Sequence, residues 1–272
     1  MNRVLVIGYG SAGKRHAEIA SKLGWRVHVV DPSPYRRDEA DSQDFHASAD
    51  IRSSHYDAAI IASPLRWHTL NARDLLHAGY GGPLFVEKPV CMDATDDVWR
   101  SWPHQTTMVG YNLRWHPWCQ TLIGDWSGPY DRFDFTLWCD MGKWPGTYGH
   151  FLYECSHEVD LLLACGLQGS VLSASMDEAS RTASVWFDNG RAHLEIRALS
   201  PRLLRRWSAS GPEGSVAFTH TTMSALSTRA MYRAQLKQFL AAAVAGDRTP
   251  CSFVVGLETV KVCQDIMKAV RA

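Results

Sequence analysis

Three groups of residues have the types and spacing that chemistry needs. Gly8-Tyr9-Gly10-Ser11-Ala12-Gly13 is a G-x-G-x-x-G set where the apolar run Val4–Gly8 gives way to a helical pattern. In such a turn Gly8 permits the tight bend and Gly10 lets a pyrophosphate approach the backbone. Gly13 lets the helix lie close to the sheet, and the helix N-terminus attracts phosphate. The motif by itself is weak, but Asp31 closes a second apolar run 18 residues beyond Gly13, where a carboxylate would hold the ribose hydroxyls of a dinucleotide. That carboxylate repels a 2′-phosphate, so NAD is favoured over NADP. Arg36 and Arg37 lie close downstream and offer either phosphate partners or a solvated loop.

The second group is Glu87-Lys88-Pro89, directly after Leu84–Val86. Lys88 should therefore emerge at the carboxyl edge of a parallel sheet, where open α/β sheets bind their ligands. The third lies in Phe151–Asp160, where Glu154, His157 and Glu158 share one helical face and Asp160 partly joins it. Imidazole suits proton transfer near neutral pH, and a nearby carboxylate would hold its tautomer. Three readings of this face stay open. It is a proton-transfer site, a ligand set for a metal ion, or a structural polar face paired with Arg114 or Arg132. No second cluster and no C-x-x-C supports zinc, so no metal is expected.

The elements that must position these groups follow from the hydrophobic pattern. Strands at Val4–Gly8, Arg26–Asp31, Ala58–Ala62, Leu84–Val86 and Met108–Gly110 are continuously apolar, as in a parallel sheet covered on both faces. Helices are expected over Ala12–Leu23 and Thr69–His77. Beyond residue 110 the strands Phe133–Cys139, Ser170–Met176, Ala183–Phe187, Ala192–Arg197, Arg206–Ser210 and Ser215–Thr219 alternate, as antiparallel strands with one packed face do. Helices at Leu152–Cys165, Arg229–Ala245 and Val255–Val270 complete the pattern. The expected fold class is a doubly wound α/β Rossmann domain over 1–110, then an α+β domain over 111–272 with an open, mainly antiparallel sheet. The terminal helices are free to pack back on the first domain.

With 272 residues, 46% of them hydrophobic, the chain can bury a real core, which excludes intrinsic disorder and a disulfide-stapled mini-protein. Its 28 basic side chains balance 28 acidic ones, so no nucleic-acid partner is expected. The longest apolar runs are too short to span a membrane, and no secretory segment precedes the first strand. Seven cysteines without a C-x-x-C pair fit free thiols in a reducing cytoplasm.

The order Gly8–Gly13 with His16, Ala62-Ser63-Pro64 with His68, Val86–Pro89, Gly110–Arg114 and Ser156-His157-Glu158-Val159-Asp160 resembles the Gfo/Idh/MocA oxidoreductases. The similarity covers nearly the whole chain and is nearest to the branch with a Ser-His-Glu-x-Asp helix, often associated with surface-polysaccharide sugars. It implies a nicotinamide cofactor bound by Gly8, Tyr9, Gly10, Ser11, Ala12, Gly13, Asp31, Ser63, Pro64, His68, Glu87 and Lys88. By the same resemblance His157 is the catalytic histidine, supported by Glu154, and Lys88 touches the reacting oxygen, where an ammonium stabilises a developing alkoxide. Asn112, Arg114, Lys143 and Tyr153 fall on the substrate side, with Asp160 a helix-packing residue.

The implied activity is that of an NAD(P)-dependent dehydrogenase or reductase. It would move hydride between nicotinamide and a secondary alcohol or ketone carbon of a sugar-like small molecule, including nucleotide-linked ones, in a homodimer or homotetramer. Two departures stand out. The chain is shorter than most members, and Thr147-Tyr148-Gly149-His150-Phe151 replaces a smaller, glycine-rich run. Bulk there narrows the expected pocket and counts against the usual sugar substrate, while Trp115, Trp118, Trp126, Trp138 and Trp144 suit an aromatic pocket wall but are by default core, or a dimer interface. It also leaves room for an imine or keto reductase of a secondary-metabolite pathway, or for a cofactor-binding regulator without chemistry.

Overall fold

The computed structural model describes residues 1–51, 55–124, 132–140, 149–166, 170–177, 182–187, 192–197, 199–212, 214–220 and 225–271. Two compact units make up the chain. The first is Met1–Asn112 with Ala230–Leu257, and the second is Leu113–Arg229 with Glu258–Ala272.

In the first unit the chain runs β1 (Arg3–Ile7), α1 (Ser11–Lys22), β2 (Arg26–Val30), α2 (Pro34–Asp41), β3 (His46–Ser48), β4 (Ala58–Ile61), α3 (His68–His77), β5 (Leu84–Val86), α4 (Asp97–Arg100) and β6 (Thr107–Val109). The sheet order is β3-β2-β1-β4-β5-β6, with every pairing parallel. Continuous apolar strands produce it: Val4, Leu5 and Val6, Ala58 to Ile61, and Leu84 to Val86 are all fully buried. Strand order reverses between β1 and β4, which places the ligand crevice beyond their carboxyl ends. The glycine turn follows β1 directly. The sequence pattern missed α2 and β3, short elements rich in charged and small residues with little periodicity of their own.

The first unit is completed from the far end of the sequence. Phe239 lies edge-on to Phe85 at 5.6 Å, and Phe253 meets Trp99 at 5.1 Å. The Val109 amide donates to the Cys251 carbonyl at 2.8 Å. Most of α7 (Ala225–Ala245) thus belongs with the first sheet, while α8 (Phe253–Arg271) divides between the units at Leu257.

The second unit holds α5 (Pro117–Gly124), β7 (Arg132–Asp140), α6 (Gly149–Ala164), β8 (Val171–Asp177), β9 (Thr182–Phe187), β10 (Ala192–Arg197), β11 (Leu199–Gly211) and β12 (Gly214–His220). Its sheet order is β12-β11-β7-β10-β9-β8. It is mixed, because β10 runs parallel to β7 while the other neighbours are antiparallel. Alternation decides its faces. Phe133, Phe135 and Leu137, with Ala192, Leu194 and Ile196, are buried, while Asp134, Thr136, His193 and Glu195 keep partial exposure. Helix α6 packs on β7 and β10.

Candidate active site

The glycine turn is locked by backbone contact. Gly8 has φ +90°, and a Cβ there would sit 2.7 Å from Ser63 Cα, so β1 and β4 approach too closely for a side chain. A Cβ on Gly13 would fall 1.9 Å from the Gly8 carbonyl oxygen. Gly10 is less confined, its nearest neighbour being Arg36 Nη1 at 3.4 Å. It caps α1 without a side chain, leaving the first amides of the helix at the turn.

Asp31 is buried at the end of β2. Its Oδ2 accepts the Tyr9 amide at 2.7 Å and its Oδ1 accepts the Ser33 amide at 2.9 Å. The carboxylate therefore ties the glycine turn to the strand beside it. Two backbone bonds leave lone pairs for further donors, because a carboxylate accepts about four. This cradle of two close-packed glycines with an open Gly10 between them, helix amides at the turn and a fixed carboxylate suits the pyrophosphate and ribose of a dinucleotide.

At the edge of β5, Glu87 and Lys88 separate in role. Glu87 is buried, and its Oε1 lies 2.7 Å from His16 Nε2, on the helix that starts at the glycine turn. Its Oε2 accepts the Lys88 amide at 3.2 Å. Burial pushes the Glu87 carboxyl up, but the hydrogen bond and charge of His16, with the Lys88 ammonium, outweigh it and hold the group below the usual glutamate range. Its folded value thus lies under its unfolded one. The resulting stability is complete above the unfolded value and is lost as pH falls through the folded value. Glu87→Gln is expected to lower the melting temperature near neutrality and to flatten the acid limb of its pH profile, so that the difference from the unsubstituted chain narrows below about pH 5.

His68, at the start of α3, is also inaccessible. Its Nε2 lies 2.9 Å from the Ser63 carbonyl oxygen and its Nδ1 3.0 Å from that of Pro89. Ser63 Oγ accepts the Asn71 amide group at 2.7 Å. His68 thus links the turn after β4 to the turn that carries Lys88. Burial pushes its pKa down, against the carbonyl bonds and the Glu87 carboxylate. Its role at the expected cofactor site is to hold these two turns. Asn112 is buried just beyond β6, where its backbone N–H donates to the Gly110 carbonyl.

In the second unit α6 presents His157 at 7% exposure, between Ser156 and Glu158, which have none. Two carboxylates of this helix, Glu158 and Asp160, have arginine partners. Arg114 closes on Asp160 through two bonds of 2.7 Å, and Arg205 Nε donates to Glu158 Oε1 at 2.6 Å. Asp160 thus meets Arg114, one of the two partners that the structural reading offered, whereas Glu158 meets Arg205, which that reading did not name. Arg114, expected on the substrate side, is turned instead to Asp160. Arg132 pairs with Asp134 rather than with the helix. Because a buried charge stripped of its partner is costly, Arg114→Leu is expected to lower unfolding free energy by about 3–5 kcal/mol in a denaturant melt. The double variant with Asp160→Leu should recover much of that loss.

Glu154 and Tyr153 lie on α6, but their side chains fall outside the described residues, as do those of His150, Trp118 and Trp138. Lys143, Trp126 and Trp144 lie outside them entirely. Sequence reasoning missed the His16–Glu87 pair and Arg205. The one usable signal was His16 itself, a turn of helix past Gly13.

The fold and the glycine cradle define a Rossmann domain of the dinucleotide-binding class. Residues 2–106 match the family described as "Oxidoreductase family, NAD-binding Rossmann fold", GFO_IDH_MocA, an NAD-binding family. No curated protein sequence matches the chain. Solved structures similar over the whole chain include scyllo-inositol dehydrogenase from Lactobacillus casei with bound NAD(H) and scyllo-inositol, 16% identical with a TM-score of 0.82, covering 100% of this chain and 97% of that one. Myo-inositol 2-dehydrogenase from Lactobacillus plantarum is 14% identical, TM-score 0.82, covering 99% and 97%. UDP-N-acetylglucosamine 3-dehydrogenase GnnA from Acidithiobacillus ferrooxidans is 18% identical, TM-score 0.75, covering 98% and 97%. Among the described residues, no helix is long and apolar enough to cross a membrane.

Proposed function

We propose that the chain is an NAD(P)-dependent dehydrogenase acting on a secondary alcohol of a sugar-like molecule, cyclitols and nucleotide sugars included, or on the matching ketone. The observation that carries this reading is the cofactor cradle, on whose sheet edge Lys88 follows a buried, hydrogen-bonded Glu87. The names of the similar solved structures point to the same substrate classes. Bound NAD supplies the hydride acceptor. The substrate gives up its hydroxyl proton to His157 as the carbon loses hydride, so the alcohol becomes a ketone and the proton resides on the imidazole until solvent takes it. Lys88 stabilises the negative charge that grows on the oxygen, and Glu154 holds the imidazole in the required orientation.

The test is absorbance at about 340 nm, the band of reduced nicotinamide, with NAD or NADP and a panel of cyclitols and nucleotide sugars. A rise that disappears in His157→Ala supports the reading. Cofactor binding without turnover of any substrate, in either direction, would overturn it in favour of a regulator. We also propose self-association of the 30.4 kDa chain through the partly exposed face of the second sheet. Sedimentation should show a dimer or tetramer at micromolar concentration, and monomer alone would rule this out.

A further inference from the structure

Asp31 argues for NAD because a bare carboxylate repels a 2′-phosphate. In this chain the carboxylate is not bare. Arg36 Nη1 lies 3.5 Å from Asp31 Oδ2, and the same nitrogen is the nearest atom to the space beside Gly10, 3.4 Å from where a Cβ would stand. One guanidinium therefore spans both the ribose-binding acid and the glycine that admits the pyrophosphate. Its neighbour serves a different purpose. Arg37 Nη1 donates to the carbonyls of Asp31 and Pro32, at 2.9 and 2.8 Å, and so braces the loop after β2.

Arg36 is not committed in that way. A separation of 3.5 Å is long for a charge-assisted bond, which runs nearer 2.7–2.9 Å, and its side chain is 45% exposed against 4% for Asp31. The cation can turn while the carboxylate cannot, since Asp31 is held by the Tyr9 and Ser33 amides. Ser33, two residues beyond Asp31, caps α2 through its backbone with no side-chain capping bond. Its hydroxyl is thus not consumed by the helix it begins.

We propose that Arg36 is a specificity-determining residue that lets the chain take NADP as well as NAD. With NAD, the guanidinium stays beside Asp31 and the carboxylate accepts the ribose hydroxyls. With NADP, the guanidinium turns from Asp31 to the 2′-phosphate, for which its planar fork is suited, and the Ser33 hydroxyl donates a second bond. The pairing also reduces the field that the carboxylate presents to an incoming phosphate.

The experiment is a fluorescence titration with NADH and with NADPH, needing no substrate, on the unsubstituted chain and on Arg36→Ala. The unsubstituted chain is expected to bind both. In Arg36→Ala the ratio of the NADPH to the NADH dissociation constant should rise by about fivefold or more, with NADH affinity itself held within about threefold. No measurable NADPH binding to the unsubstituted chain, or a ratio that rises less than this, would overturn the proposal. Arg36→Lys provides the second variant. It keeps the charge but loses the fork, and its ratio should fall between the other two, whereas a ratio equal to that of the unsubstituted chain would show that the fork has no part in the choice.

Discussion

Lys88→Ala is expected to lower turnover about a thousandfold while NADH affinity stays within about threefold. The reason is differential: the ammonium is needed where charge develops in the transition state, and only weakly by the resting cofactor. The backbone supports this separation. Glu87, not Lys88, is anchored to His16, and the Lys88 amide is held by Glu87 Oε2. Removing the lysine side chain thus leaves the turn's anchors in place. Steady-state rates at 340 nm set against a fluorescence titration distinguish the two effects. Turnover within tenfold of the unsubstituted chain would remove Lys88 from the mechanism, and equal loss of binding and rate would make it a cofactor-holding residue instead.

Gly13→Ala should abolish measurable cofactor binding and lower the melting temperature by several degrees, whereas Gly10→Ala should spare stability and weaken binding alone. The contrast follows from what each new methyl group meets. At Gly13 it would lie 1.9 Å from the Gly8 carbonyl oxygen, a backbone atom in a turn already held by Ser63 and Asp31. Relief requires moving α1 away from the sheet, at a cost of about 1–3 kcal/mol or more. At Gly10 it meets only the end of the Arg36 side chain, at 3.4 Å, which can give way. The loss there arises only when a pyrophosphate must approach the backbone. Thermal melts beside NADH titrations check both halves, and equal destabilisation by the two substitutions would refute the distinction.

Local patterns were legible because local geometry produces them. Continuous apolar runs named five of the six parallel strands, alternation named the strands of the second sheet, and the glycine spacing with Asp31 named the glycine turn. The parallel β7–β10 pairing was hidden, since alternation reports which face is buried and not which neighbour lies beside it. Arg114 shows the same limit for charge. The sequence offered it both as a substrate contact and as a partner of the α6 face, and packing chose Asp160, 46 residues away.

By itself the sequence determined the identity of the fold class, the cofactor turn and the places of Lys88 and His157 along the chain, because each rests on a periodicity or spacing within a few residues. Only the tertiary structure decided which charges are spent. His16 is matched to Glu87 across 71 residues and Arg205 to Glu158 across 47, and Arg36, rather than Arg37, is the cation set against Asp31. The physical reason is desolvation: a buried charge must find a partner wherever packing brings one, and packing is a property of the whole chain rather than of any segment.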